Sequence, residues 1–315
     1  MNVRSQPCHA ASISPVEIAQ TSSDLLPPNL FIIGASKSGS SALYAYLAAH
    51  PDICMSAEKE PCFFVDQAEL ASAWPIMARR PCSHDWAAYL ELWKHGAQAR
   101  YRGEASVYYS QAPHRSNVAA RIAASCPESR IIYIVREPVT RAIGHYWQRF
   151  KEFQEPLDIE TAMRTNPLYR DTSDYALQLQ AYLDHFDASR IHVVVAEELR
   201  QHRAETLARC IDWLDLGSFA FHPSQLADYH RSPPTSRRQR FPLVGRLRDS
   251  EAWASARKRL PGAIVERLRR VSTVSFDKQE IDESGARAYL ASWLAPRRAA
   301  FEAMIGRRIP AWDGV

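Results

Sequence analysis

No stretch of about 18 apolar residues occurs in the 315-residue chain, so a membrane-spanning helix is not expected. The N-terminus, Met1 to Thr21, is polar and lacks the apolar core of a signal peptide. Together these absences point to a cytoplasmic protein. The six cysteines (Cys8, Cys54, Cys62, Cys82, Cys126, Cys210) form no CxxC pair and no metal-like spacing. They read as scattered buried thiols, and no metal site is expected. Internal repeats and low-complexity tracts are absent too. Charge of one sign is scarce: 39 Lys+Arg against 35 Asp+Glu leaves +4, which does not call for a nucleic-acid partner but leaves room for a local anion site. What is present is 46% hydrophobic residues, enough to fill a sizeable core.

Residues 1–28 read as a flexible tail ending in Pro27-Pro28, and from Asn29 onward strand-like and helix-like segments alternate. The run Leu30 to Ile33 suits a buried parallel strand, and a helix from Ala42 to Ala49 follows it. Ile131 to Val135 is the strongest strand signal. Pro138 then opens a helix to about Phe150. Asp174 N-caps an amphipathic helix to Phe186. Ile191 to Val195 is another strand, Glu197 to Leu214 another helix, and Pro296 opens a last helix closed by Gly306. This alternation predicts an α/β fold of P-loop type, with a central parallel sheet flanked by helices and ligands at the carboxyl ends of the strands. The segments 66–85 and 150–172 are poorly periodic and read as inserted loops that carry substrate contacts.

The first strand runs into Gly34-Ala35-Ser36-Lys37-Ser38-Gly39-Ser40-Ser41 and then a helix. Small residues let backbone N–H groups turn inward, the helix N-terminus adds positive partial charge, Lys37 adds a full charge and the serines add hydroxyl donors. Such a loop suits phosphate or sulfate. It is not a Walker A loop, because the lysine stands two positions before the second glycine rather than directly after it. The strand that would carry a Mg²⁺-binding aspartate in a nucleotide kinase ends instead in Arg136-Glu137. A P-loop kinase or NTPase, and a non-catalytic nucleotide-binding module, are the alternatives to be tested.

Lys37-Ser38-Gly39-Ser40-Ser41 resembles the 5′-phosphosulfate loop of sulfotransferases that use 3′-phosphoadenosine 5′-phosphosulfate (PAPS). Val135-Arg136-Glu137-Pro138 resembles that family's 3′-phosphate segment, in which Arg136 would grip the phosphate through a bidentate guanidinium. The family's serine eight residues further on is here Gly144. His50-Pro51-Asp52, Lys59-Glu60-Pro61-x-Phe63-Phe64, Glu197-Glu198-Leu199 and the tail Ile305 to Trp312 are similar to the branch that contains heparan sulfate sulfotransferases. The resemblance spans Asn29 to Trp312. It implies one sulfotransferase domain over 29–315, PAPS as cosubstrate and adenosine 3′,5′-bisphosphate as product.

On this resemblance Ser36, Lys37, Ser38, Gly39, Ser40, Ser41, Arg136 and Gly144 bind the cofactor. Lys37 also stabilises the leaving group, and Glu60 is the base. Glu104 is a second candidate for the base, in Gly103-Glu104-Ala105-Ser106-Val107, which stands where the family has Glu-Lys-[TS]-Pro, and a histidine (His50, His84, His114 or His145) is a third. Cys62 occupies a position that is usually histidine, and that lysine is absent. Both departures fall where acceptor chemistry belongs. The acceptor is left as a hydroxyl or amine of a small molecule, lipid or carbohydrate. A basic stretch, Arg231 to Arg248, reads as a loop, with Arg237 and Arg238 closing over the cofactor.

Overall fold

The computed structural model describes residues 25–226 and 280–314, and the backbone of 235–239 and 273–277. The expected tail, apart from its last residues, and Cys8 lie outside them.

Strand β1 (Leu30–Ile32) leads to helix α1 (Ser40–Leu47), strand β2 (Ile53–Met55), short helices α2 (Gln67–Ala73), α3 (Pro75–Ala78) and α4 (Trp86–Leu90), and strand β3 (Tyr101–Ala105). Helix α5 (Val118–Ser125), strand β4 (Arg130–Val135) and helices α6 (Pro138–Lys151), α7 (Ile159–Thr165), α8 (Pro167–Asp171) and α9 (Tyr175–Leu183) follow. Then come strand β5 (Ile191–Val195), helices α10 (Ala196–Gln201) and α11 (Arg203–Trp213), strands β6 (Thr235–Gln239) and β7 (Thr273–Asp277), and helix α12 (Ser284–Met304).

The sheet has the order β2-β3-β1-β4-β5, and every pairing is parallel. Its strands are apolar because both faces are covered. Phe31, Ile131, Tyr133 and Val135 pack on one face with Phe64, Tyr89, Tyr109 and Tyr175. Leu30, Ile32, Ile132 and Ile134 pack on the other with Leu43, Leu47, Leu207 and Ile211. This alternation is the period-two geometry of a strand that separates two apolar layers. A third apolar cluster joins α6, α7 and α12 through Ile143, Trp147, Met163, Leu290 and Leu294. Cys54, Cys62, Cys82, Cys126 and Cys210 are buried free thiols, as the spacing predicted.

Four sequence expectations are corrected. The segments 66–85 and 150–172 are not irregular loops: they hold α2, α3, α7 and α8. Asp66, Asp158 and Asn166 cap these helices by accepting first-turn N–H groups. Each helix spans only one or two turns, too short for a 3.6-residue period to emerge. Pro296 does not open the last helix but sits inside α12. The C-terminal end of α12 was read correctly: Gly306, at φ +68°, lets its own N–H reach Ala303 O and the Arg307 N–H reach Glu302 O, a Schellman closure. The helix expected over Glu197–Leu214 breaks at His202 into α10 and α11. Part of the basic stretch is strand rather than loop, since β6 pairs antiparallel with β7, Arg237 opposite Ser275 and Arg238 opposite Val274. The side chains of Arg237 and Arg238 lie outside the described residues.

Candidate active site at the carboxyl ends of the central strands

The loop after β1 is fixed by the neighbouring strand. Ile33 N–H donates to Ile132 O (3.0 Å), and Ile134 N–H donates to Gly34 O (2.7 Å). Gly34 adopts φ +127°, and a Cβ there would lie 2.2 Å from Ser110 Oγ, so the close approach itself requires glycine. Gly39, at φ +95°, is the N-cap of α1, and no side chain caps that helix. Ala42 N–H donates to Gly39 O (3.0 Å), which leaves the Ser40 and Ser41 amides to meet an anion. Ser38 is 1% exposed, and its Oγ has no hydrogen-bond partner among the described residues. A buried hydroxyl without a partner is costly unless something else occupies it. Ser40 is buried, and Ser41 is half-buried on the first turn. Ser36 Oγ is taken by a protein group, accepting from the Arg141 guanidinium at 3.1 Å.

Lys37 lies in the left-handed region at φ +69°. Burial holds its amine below the usual lysine range. Lys151 and Arg136 push the same way, and Glu152 opposes them. Arg136 donates from Nη1 to Lys37 O (3.3 Å), so the ends of β1 and β4 meet. The backbone at Arg136 is braced by Tyr175, whose Oη donates to Arg136 O (2.6 Å) and accepts its N–H (3.3 Å). Behind it, Glu197 accepts the Glu137 N–H (3.1 Å) on one oxygen and Trp312 Nε1–H (3.0 Å) on the other. The two motifs singled out near residues 197 and 312 thus support the end of β4. Glu137 caps its own helix by accepting from Val139 and Thr140, so those first-turn amides of α6 are taken. Gly144 lies two turns along α6 against the lysine stem: a Cβ there would sit 3.5 Å from Lys37 Cβ.

Glu60 stands on the loop between β2 and α2, at φ +60°. Its Oε1 takes Lys59 Nζ at 2.5 Å and its Oε2 takes the Val107 N–H at 2.8 Å, while its own N–H donates to Ala105 O (3.0 Å). Lys59 Nζ also donates to Ser40 Oγ at 3.5 Å, which brings this carboxylate to the phosphate loop. Beside it Tyr108 stacks on Trp74, ring centroids 5.9 Å apart, with the Arg115 guanidinium 5.7 Å from the tyrosine ring. Trp93, Tyr101 and Tyr109, by contrast, are core residues. Glu104 is buried within β3 with no solvent exposure. It touches the site only through its neighbours.

Lys37, Ser38, Gly39, Ser40, Ser41, Arg136, Gly144 and Glu60 therefore gather at one end of the sheet. Ser36 faces inward and Glu104 lies beneath. Two residues escaped sequence reasoning. Arg141 is fully buried and binds Ser36 Oγ, Ser173 Oγ (2.6 Å) and Tyr169 O (2.7 Å), fastening the loop after β1 to α8 and to the link that follows it. Lys59 reads locally as a surface partner of Glu60, and its reach to Ser40 is a long-range contact that no spacing encodes.

A family model described as "Sulfotransferase family" matches residues 28–220. The bifunctional heparan sulfate N-deacetylase/N-sulfotransferase 1 of Caenorhabditis briggsae is 26% identical over 243 residues, which cover 70% of this chain and 26% of that protein. Human heparan sulfate glucosamine 3-O-sulfotransferase 3B1 is 30% identical over 202 residues, 60% of this chain and 46% of that protein. The chain thus spans less than half the length of these two relatives. A sulfotransferase from Alicyclobacillus acidocaldarius shares the fold with a TM-score of 0.59 and 24% identity, over 91% of this chain and 99% of that one.

Proposed function

The chain belongs to the sulfotransferase family, and from that premise we propose that it moves the sulfuryl group of PAPS to a hydroxyl or amine of a small-molecule, lipid or carbohydrate acceptor. The observation that carries the proposal is the meeting of three groups from distant parts of the chain. Lys37 and Arg136 join through the Lys37 carbonyl, and Glu60 joins the same loop through Lys59 and Ser40. PAPS, when bound, supplies an activated sulfuryl group on a good leaving phosphate. The residues fit such a group: a buried Ser38 hydroxyl with no partner among the described residues, an α1 N-terminus that no side chain caps, and two cations, Lys37 and Arg136, on the same loop and the adjoining strand end.

In this reading the α1 amides and the Ser38, Gly39, Ser40 and Ser41 segment bind the 5′-phosphate, and Arg136 binds the 3′-phosphate. Lys37 holds positive charge where the leaving oxygen develops negative charge, the kind of electrostatic stabilisation that gives the largest catalytic effect. Burial next to Arg136 and Lys151 lowers the proton affinity of its amine, which suits a group that hands a proton to a leaving phosphate. Glu60 takes the acceptor proton, with Val107 N–H and Lys59 orienting its carboxylate. Acceptor selection falls to the Trp74–Tyr108 stack and Arg115, while Cys62, in place of histidine, is fully buried and offers the acceptor no contact. The protein works in the cytoplasm as one sulfotransferase domain over 29–315.

Titration with adenosine 3′,5′-bisphosphate and with ATP plus Mg²⁺ tests the proposal. The bisphosphate should bind tightly without metal, and a preference for ATP-Mg²⁺ would overturn it. Lys37→Ala should lower kcat by about 10²–10³, the loss typical of a removed electrostatic stabiliser. Full retention of sulfuryl transfer in that variant would remove Lys37 from the mechanism.

A further inference from the structure

We infer that Glu104 is a positioning residue: through Ser106 and Tyr109 its buried carboxylate fixes the backbone of the Glu60 loop. This rests on the proposed role of Glu60 as base. The geometry is a pair of two-step links. Ser106 Oγ donates to Glu104 Oε2 at 2.6 Å and accepts the Cys62 N–H at 3.2 Å. Tyr109 Oη donates to Glu104 Oε1 at 2.9 Å and accepts the Phe64 N–H at 3.3 Å. Tyr89 Oη makes a further, short bond to Oε1. One carboxylate thus accepts three hydroxyl donors, and two of those hydroxyls each hold one amide of the segment that follows Glu60.

The arrangement answers a local need. Glu60 and Cys62 both lie at positive φ, +60° and +55°, and Pro61 between them has no N–H to donate. Non-glycine residues in that region carry strain, and the conformation persists only where the surroundings impose it. The end of β3 supplies the constraint twice over. Its backbone binds Glu60 directly, through Ala105 O and the Val107 N–H. Its Glu104 side chain binds the Cys62 and Phe64 amides indirectly. An apolar core could not do this, because a serine and a tyrosine hydroxyl that accept N–H bonds need a buried acceptor for their own protons. Glu104 has no exposed surface and all three hydroxyl donors on its two oxygens, so it does not touch an acceptor molecule and is not itself the base.

The links can be cut one at a time in the full chain. Ser106→Ala removes the tie to Cys62, Tyr109→Phe the tie to Phe64, and Glu104→Gln weakens both. Hydrogen exchange of the segment 59–65 should speed up at least ten-fold in each variant, while the strands keep their protection. With PAPS and an accepted acceptor, kcat should fall about ten-fold or more, and KM for PAPS should stay within about three-fold. Unchanged exchange in folded Ser106→Ala and Tyr109→Phe would overturn the anchoring. Faster exchange with unchanged kcat would overturn the link to the chemistry. Should Glu104→Gln fail to fold, those two variants decide the matter. If the wild-type chain transfers no sulfuryl group, the proposed function fails, and the exchange result still judges the anchor separately.

Discussion

Strain concentrates at the site. Of the six described non-glycine residues at positive φ, Lys37, Glu60 and Cys62 belong to the candidate site, and Phe153 follows Glu152, whose charge acts on Lys37. Each such residue costs on the order of 1–2 kcal/mol, so the surrounding contacts must over-determine it. For Glu60 those contacts bring its carboxylate to Lys59 and to the Val107 amide. Glu60→Gln keeps the size and removes the proposed base. The turnover should fall about 10²–10⁴-fold with adenosine 3′,5′-bisphosphate affinity unchanged, and retained turnover would move the base elsewhere. Gly144 offers the opposite experiment. A Cβ there meets the Lys37 stem at ordinary contact distance, 3.5 Å and beyond. Gly144→Ser therefore fits, and it restores the hydroxyl found at this position in the resembled family. Binding of adenosine 3′,5′-bisphosphate measured by calorimetry should tighten about 10- to 150-fold, the worth of one hydrogen bond to a charged group.

At the scale of elements, what was legible depended on how locally each signal is written. β4 and β5 were read closely because β-branched apolar runs in a doubly covered sheet need no distant partner to identify them. The loop before α1 was read for the same reason: strand, small residues and helix are contiguous. The short helices of 66–85 and 150–172 were missed because their caps, Asp66, Asp158 and Asn166, act over a single turn. Pro296 misled because α12 tolerates a proline in its interior while its two ends pack against other helices. Arg141 and the hydroxyl links of Ser106 and Tyr109 were invisible, since they exist only once β1, β3 and α6 are brought together. The phosphate loop makes a prediction of its own at this scale. At Gly39 the nearest atom to an added Cβ is Ile134 Cδ1 at 3.9 Å, so there is room, and the penalty of Gly39→Ala is purely that of φ +95°. Thermal unfolding should register a loss of about 1–2 kcal/mol, and the cofactor affinity should drop with it as the α1 amides shift.

For the whole molecule, the buried Glu104 ties stability to pH. Burial pushes its carboxyl up to about 7, against the bonds from Ser106, Tyr89 and Tyr109 that favour the anion. Between its ordinary value of 4.5 and about 7 the folded chain keeps a proton that the unfolded chain has released. The folded state binds more protons across that window, so this group's contribution to stability is full below pH 4.5 and declines as pH rises through about 7. Unfolding free energy measured from pH 5 to pH 8 should fall more steeply in the wild type than in Glu104→Gln. Equal slopes would contradict it. The strand order carries a last consequence, for how the molecule is made. β1 is three residues long and lies between β3 and β4, whose sequences begin some 70 and 100 residues later. Parallel neighbours this remote cannot close early, because loop-closure entropy is lost before any pairing rewards it. A chain emerging from the ribosome therefore carries Lys37 long before it has the strand that supplies Arg136. The anion-binding loop acquires its shape only after β4 has been synthesised and docked. Sulfate or bisphosphate, the anions proposed for that finished loop, should then slow unfolding of the native chain without accelerating the first steps of its folding.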